Sequence, residues 1–175
     1  MPGTKAIIKG ILNNYEFGYG STEGSKDRAN VDVRNNYITW LHLNNDTLWV
    51  YEKIKDLVYR ANKQTWNFNI TGFYEDIQYS IYDNKEEGSH YTWHMDIGSE
   101  YPMNYRKISV SIQMSLEEEY EGAELQLNQG AGEITATKEI GSALVFPSYM
   151  LHRVTPIIKG KRESLQLWVS GIPFQ

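Results

Sequence analysis

Through most of its second half the chain alternates apolar and polar residues with a period of two, the signature of strands that bury one face. Ile77, Tyr79 and Ile81 alternate with Gln78, Ser80 and Tyr82. Ile108, Val110, Ile112 and Met114 alternate with Ser109, Ser111, Gln113 and Ser115, and Leu165, Leu167 and Val169 alternate with Ser164, Gln166 and Trp168. Trp66, Phe68 and Ile70 extend the same period back toward Asn62. Shorter runs around Leu125, Ile134, Ala143–Phe146 and Val154 follow, punctuated by Gly and Pro at 122, 130, 132, 141, 147, 156, 160 and 171.

One stretch has a different period. Val50 or Tyr51, Ile54, Leu57, Val58 and Ala61 recur at helical spacing behind the capping pair Asn45-Asp46, which predicts a helix to about Asn62 packed on a sheet. Residues 1–40 read as irregular to weakly β, with a loop over Gly18–Ser25, and Glu117–Glu119 reads as a solvated loop. Many short strands with regular turns argue a sandwich or barrel, a set that includes cupin-like jelly rolls, and no repeat interrupts them.

Composition narrows the class. At 175 residues, 41% hydrophobic and 22% charged, the chain suits one globular domain. The absence of cysteine removes disulfides, thiolate metal sites and a thiol nucleophile, and it fits a reducing compartment. No apolar run spans a bilayer and the apolar segment near the N-terminus is too short for a signal peptide, so a soluble cytoplasmic protein without a membrane partner is expected. A net charge of −5 and a pI near 5.4 argue against a nucleic-acid partner. The 13 Tyr and 5 Trp either line a groove with polar-tipped rings or simply furnish a tyrosine-rich β-protein. No Gly-rich phosphate loop and no Gly-x-Ser-x-Gly elbow is present.

The candidate chemistry starts at His94-Met95-Asp96. In a β-like run residues two apart point the same way, so an imidazole and a carboxylate converge. They make two thirds of a facial triad, the ligand set that leaves open positions on a non-haem Fe(II). His152, opening a short strand after Phe146–Leu151, supplies a second histidine. His90 is four residues before His94, but Gly88-Ser89 opposes a helix there, and His42 reads as a surface residue. Arg162 opens the strand whose second face is Ser164, Gln166, Trp168 and Ser170. That face and the Ser109, Ser111 and Gln113 face are either solvated or line a wet cavity. An arginine facing such a cavity needs a partner, and a dicarboxylate ligand suits its fork.

His94-x-Asp96, His152 fifty-six residues after Asp96 and Arg162 ten further on resemble the Fe(II)/2-oxoglutarate-dependent dioxygenases. The resemblance is narrower to the prolyl 4-hydroxylase-like superfamily with its PKHD-type hydroxylases. It is carried by Ile81-Tyr82 through Tyr91 to Asp96, by Arg106–Gln113, by Tyr120–Leu125, and by Phe146–Ser148 through His152–Pro156 to Arg162 and Trp168. It covers about residues 77–174; the opening 45 residues match nothing. Two adjacent glycines are usual where this chain has Gly122-Ala123, and the loop before Tyr91 is longer and more acidic than usual.

The resemblance implies a mainly β fold, a double-stranded β-helix (jelly-roll, cupin-like) core over 77–175 with a helical supporting segment over 1–76, all in one domain. It implies that His94, Asp96 and His152 bind iron, that Arg162 pairs with the distal carboxylate of 2-oxoglutarate, that Gln113 stands where some relatives place a tyrosine hydrogen-bonding that carboxylate, and that Tyr82 and Trp168 line the cosubstrate pocket. Tyr91 and Trp93 are expected at the substrate. Family members hydroxylate a C–H bond with O2 while 2-oxoglutarate becomes succinate and CO2, with ascorbate as a reductant, so no protein nucleophile or general base is expected beyond the metal centre. A prolyl or other residue of a peptide or protein is the expected substrate, with a free amino acid or other small molecule as the alternative. A cupin-like binding module without turnover is a competing reading, disfavoured by Arg162. Zinc hydrolysis is another, and it lacks an evident general base.

Overall fold

The computed structural model describes residues 2–12, 15–20, 30–85 and 88–174. In chain order these form α1 (Pro2–Leu12), β1 (Gly18–Tyr19), β2 (Arg34–Asn35), β3 (Tyr37–Leu41), α2 (Leu48–Thr65), β4 (Ile70–Gly72), β5 (Ile77–Asp83) and β6 (His90–His94). Then come β7 (Arg106–Gln113), β8 (Tyr120–Gly122), β9 (Leu125–Asn128), β10 (Glu133–Thr135), β11 (Ala143–Pro147), β12 (Leu151–Val154) and β13 (Ile157–Gly171). Short 3-10 turns occupy Met103–Tyr105 and the exposed Glu117–Glu119.

Two antiparallel sheets close on each other as a jelly roll. The larger runs β1–β3–β5–β13–β7–β11, with β4 and β8 added along β13; the smaller runs β10–β9–β12–β6–β2. The alternation explains the layering. On β5, β7 and β13 the aliphatic face (Ile77, Ile108, Val110, Leu165, Leu167, Val169) packs under the helices with Val50, Ile54 and Val58 of α2 and Ile8 and Leu12 of α1. The polar face of the same strands turns inward, opposite the smaller sheet.

Several expectations shift. The opening segment is not weakly β throughout: α1 is helical, burying Ile8 and Leu12, which stand four apart on one face. Of the expected Gly18–Ser25 loop, Gly18 and Tyr19 form a short strand, and residues 21–25 lie outside the described residues. The second helix starts at Leu48 rather than beside Asp46, because Asn44 and Thr47 close the turn before it: Asn44 Oδ1 accepts from Asp46 and Thr47 N–H, at 2.9 and 3.2 Å. Trp66 and Phe68 are not in a strand. Asn67 adopts φ +54°, and Asn62 Oδ1 accepts from Phe68 N–H at 2.8 Å, so the chain turns at the helix end and pairs only from Ile70. Ile134, expected to continue the apolar pattern, is half exposed on β10. At Gly122-Ala123 both residues have positive φ, 77° and 45°, and a Cβ on Gly122 would meet the Pro156 carbonyl. Such a left-handed backbone favours glycine, which fits the expectation of two adjacent glycines at this position.

Candidate metal centre and its cavity

His94 and His152 face each other across the β6–β12 ladder. His94 is the last residue of β6 and Asp96 lies just beyond it. Asp96 is set from both sides: its N–H donates to Ser148 O at 2.9 Å, and its own carbonyl accepts from Arg106 Nη1 at 2.9 Å. The turn between β11 and β12 thus fixes the carboxylate against the start of β7. Asp96 Oδ1 lies 3.7 Å from His94 Nε2, and Asp96 Oδ2 lies 3.5 Å from His152 Nε2. These separations are too long for hydrogen bonds, and the three donor atoms lie within 4.8 Å of one another around a common point.

The donor set suits a divalent cation. Each imidazole donates from Nδ1 to a backbone carbonyl, His94 to Thr92 at 2.7 Å and His152 to Met150 at 2.9 Å. A carbonyl only accepts, so Nδ1 carries the proton and Nε2 keeps its lone pair for a metal. Burial pushes the His94 pKa down to about 4; the neighbouring His152 adds to this, and Asp96 only partly opposes it. Burial alone would raise the Asp96 pKa. The imidazoles of His152 and His94, the Ser109 hydroxyl (2.7 Å) and Arg106 outweigh that and hold it below the usual carboxylate range. At neutral pH His94 is therefore a neutral imidazole and Asp96 a carboxylate, the protonation states a metal requires of such ligands. Ser109 is itself 3.0 Å from Ser148.

The site opens into a cavity of about 360 Å³ between the sheets, which His94, Asp96, His152, Arg162, Tyr82, Trp168 and Tyr91 all line. Arg162 is 4% exposed. Its Nε donates to Gln113 Oε1 at 3.1 Å, its Nη1 has no hydrogen-bond partner among the described residues, and no carboxylate pairs with it. Burial alone lowers its pKa, yet a guanidinium stays charged. Gln113 does not line the cavity. It stands behind Arg162, with Nε2 donating to Tyr120 Oη at 2.9 Å and Ser115 O at 3.1 Å, so it aims the arginine. Trp93, expected beside Tyr91, is outside the cavity as well. The β6–β12 register slips between His94↔His152 and Tyr91↔Val154, a bulge that places three steps of β6 against two of β12. Tyr91 and His94 therefore share the inner face, while Trp93 lies against the Arg153 guanidinium, 4.5 Å from its ring centroid.

Sequence reasoning missed a second layer. Arg106 pairs bidentately with Glu75, its Nε at 2.7 Å from Glu75 Oε2, and its guanidinium lies 3.8 Å from the Trp168 ring centroid. Both Glu75 and Arg106 line the cavity, as does Arg34. The only signal for them was charge inside apolar or aromatic surroundings, and the pairing spans 31 residues.

A jelly roll carrying two histidines and a carboxylate together, with a buried arginine lining the same cavity, presents the donor set of a mononuclear non-haem iron site. The chain belongs to the 2OG-Fe(II) oxygenase superfamily, whose family model matches residues 77–170, more than half of it. It is similar to a PKHD-type hydroxylase of Idiomarina loihiensis, 33% identical over 89 residues, covering 50% of this chain and 39% of the relative. A PKHD-type hydroxylase of Aliarcobacter butzleri is 31% identical over 97 residues, 53% of this chain and 43% of that one. The chain thus spans less than half the length of these relatives. Its fold is similar to that of a Trichoplax adhaerens prolyl hydroxylase solved with a hypoxia inducible factor oxygen degradation domain peptide fragment (TM-score 0.77, 18% identity, 97% of this chain and 78% of that one). It is also similar to a Pseudomonas putida prolyl-4-hydroxylase (TM-score 0.72, 18% identity, 98% and 86%). No helix among the described residues is long and apolar enough to cross a membrane.

Proposed function

We propose that this chain is an Fe(II)- and 2-oxoglutarate-dependent dioxygenase that hydroxylates a prolyl or other residue of a peptide or protein. Arg162 carries the reading: among the described residues it is a buried cation with no carboxylate partner and an unpartnered Nη1, in the cavity that the candidate metal triad also lines. Leaving such a donor unmade costs roughly 1–3 kcal/mol, so the site favours an anionic ligand.

Iron held by His94, Asp96 and His152 would supply oxygen activation coupled to the oxidative decarboxylation of 2-oxoglutarate to succinate and CO2. The chain's residues do the rest. Their donors on one side leave the cavity side open. The Nδ1 bonds to Thr92 and Met150 and the Ser109 hydroxyl hold the donors in place. Arg162, aimed by Gln113, takes the distal carboxylate, while Tyr82 and Trp168 wall the cosubstrate and exclude water. Tyr82 is buried and its pKa is raised by that burial, so it stays a neutral phenol. Tyr91 lines the substrate side. The peptide reading is supported by the names of the similar hydroxylases and by a ring group near the cavity, the exposed Tyr74 and Tyr101 and the half-buried Tyr105, with centroids 5.6–6.4 Å apart. Pro102 and Met103, between Tyr101 and Tyr105, line the cavity itself.

Anaerobic protein with Fe(II) and 2-oxoglutarate should develop a charge-transfer absorption and, on admitting oxygen, release succinate, with ascorbate present as reductant. Arg162→Ala should weaken 2-oxoglutarate binding at least tenfold while sparing metal binding, consistent with loss of a charge-assisted bidentate pair. An unchanged affinity for 2-oxoglutarate would refute the role of Arg162. Mass spectrometry of candidate peptides for one added oxygen identifies the substrate, and no succinate under any condition leaves only the binding-module and hydrolytic readings.

A further inference from the structure

The residues before 77 lie outside the matched family region, yet the side chain of Arg34 lines the cavity and touches a ring stacked on a candidate ligand. Arg34 opens β2, which pairs with β6 so that Arg34 stands opposite Tyr91. Its guanidinium carbon is 4.7 Å from the Tyr91 ring centroid. That same ring lies nearly flat on the His94 imidazole, with centroids 3.5 Å apart and planes tilted by 14°. The bulge in β6 makes this possible, since plain alternation would put residues three apart on opposite faces. A cation on one aromatic ring and an imidazole on the same ring make a continuous line of contacts from β2 to the ligand.

Arg34 is well placed to act as an anchor. It is 8% exposed. Its Nε donates to Asn36 Oδ1 and its Nη2 to Gln78 Oε1, each at 2.8 Å. Gln78 belongs to β5 of the larger sheet, so one side chain spans both sheets. Gly20 packs so closely over it that a Cβ there would collide with the Arg34 guanidinium and the Asn36 amide. The other two ligands are held by different means. Asp96 has Ser109, Ser148 and Arg106, while His152 lies within β12, paired on both sides, with the Phe146 ring 4.9 Å away. His94 ends its strand, and beyond its bond to Thr92 it is the Tyr91 ring that lies flat against it.

We propose that Arg34 is a positioning residue for the metal centre: it clamps Tyr91, and Tyr91 holds the plane of the His94 imidazole so that Nε2 stays aimed at the other two ligands. The inference rests on the metal-site reading given above. It makes the segment before residue 77 part of the metal site's support, not only a cover for the sheet. Groups that orient a ligand from behind typically contribute about 10–100-fold in metal affinity.

The test uses the metal-free full chain titrated with Mn(II) alone, together with the absorption spectrum of the Co(II)-loaded protein. Arg34→Ala should bind Mn(II) roughly tenfold more weakly and shift the Co(II) bands. Arg34→Lys, which keeps a cation but loses the fork to Asn36 and Gln78, should recover part of the loss. Gly20→Ala should weaken binding in the same direction with every site side chain intact, because it displaces the guanidinium from outside. Wild-type Mn(II) affinity and an unchanged Co(II) spectrum in Arg34→Ala overturn the proposal, even if that variant melts earlier. If Arg34→Ala does not fold, Tyr91→Leu breaks the same line in its middle, and wild-type affinity there overturns the proposal equally. Failure of the wild-type chain to bind Mn(II) overturns the metal-site reading and the proposal together, whereas equal affinities overturn the proposal alone.

Discussion

The two faces of the larger sheet are built from the same strands and buried to the same depth, yet they do opposite work. Outward, Ile108, Val110, Leu165, Leu167 and Val169 are at most 2% exposed and meet the aliphatic stripes of α1 and α2. Inward, Ser109, Gln113, Arg162 and Ser164 are at most 4% exposed and polar. Around these side chains the outer face is complete: apolar atoms meet apolar atoms. The polar face of β13 leaves three buried side-chain atoms without partners among the described residues, Arg162 Nη1, Gln166 Oε1 and Ser170 Oγ. Burial therefore does not separate structural from chemical residues here; unfinished hydrogen bonding does. Substitutions on the outer face should move stability and leave ligand binding alone, and those on the inner face should do the reverse.

The sharpest break is His152→Ala. Calorimetric titration should detect no metal binding, while the melting temperature of the metal-free protein stays close to wild type. On the other face Leu165→Ala should cost about 2–5 kcal/mol in denaturant unfolding, because a close-packed aliphatic site cannot collapse around the void. Its affinity for Mn(II) should be unchanged; a large loss of affinity would show that the two faces are coupled through β13. Ser109→Ala should be milder, weakening Mn(II) binding about tenfold through loss of the hydroxyl that orients Asp96, with little change in unfolding.

The smallest expected effect lies in pH. Glu163, on the outer side of β13, would have its pKa raised by burial, but Lys9 and Lys161 at 2.9 and 3.0 Å outweigh that and lower it. A depressed carboxyl stabilises the folded state above its unfolded pKa of about 4.5, and the contribution fades as pH falls through the lower folded value. Glu163→Gln should thus melt below wild type at neutral pH, and the gap should narrow on acidification below pH 4.5. A gap that stays constant with pH would show that the ion pairs contribute nothing.

What could be read from the chain follows the same division. The period of two located β5, β7 and β13 and assigned their faces, because consecutive side chains on a strand must alternate. His94, Asp96, His152 and Arg162 were legible from type and spacing, and the structure brings all four to one cavity. The misses arise where local pattern and three-dimensional pairing part company. Helix α1 buries only Ile8 and Leu12 among its described side chains, too short a stripe to stand out. Trp93 was expected at the substrate together with Tyr91, but the bulge at Thr92-Trp93 turns only Tyr91 to the face of His94 and leaves Trp93 outside. The Glu75–Arg106 pair and the Arg34–Gln78 bond join residues 31 and 44 apart, and no periodicity announces such contacts.

Strand β13 has a consequence for how the molecule comes into being. Its 15 residues pair with β5, β7, β4 and β8, and it carries Arg162, Gln166 and Trp168 on a single face. During synthesis β5 and β7 emerge from the ribosome well before the strand that belongs between them, and each waits with an open edge. Such distant pairings fold slowly and leave nascent chains prone to sticking to one another. The arginine-lined end of the cavity cannot exist until β13 inserts. A chain truncated before Ile157 would present the candidate metal ligands with no complete pocket around them, so the pocket closes only once Ile157–Gly171 has been made and inserted.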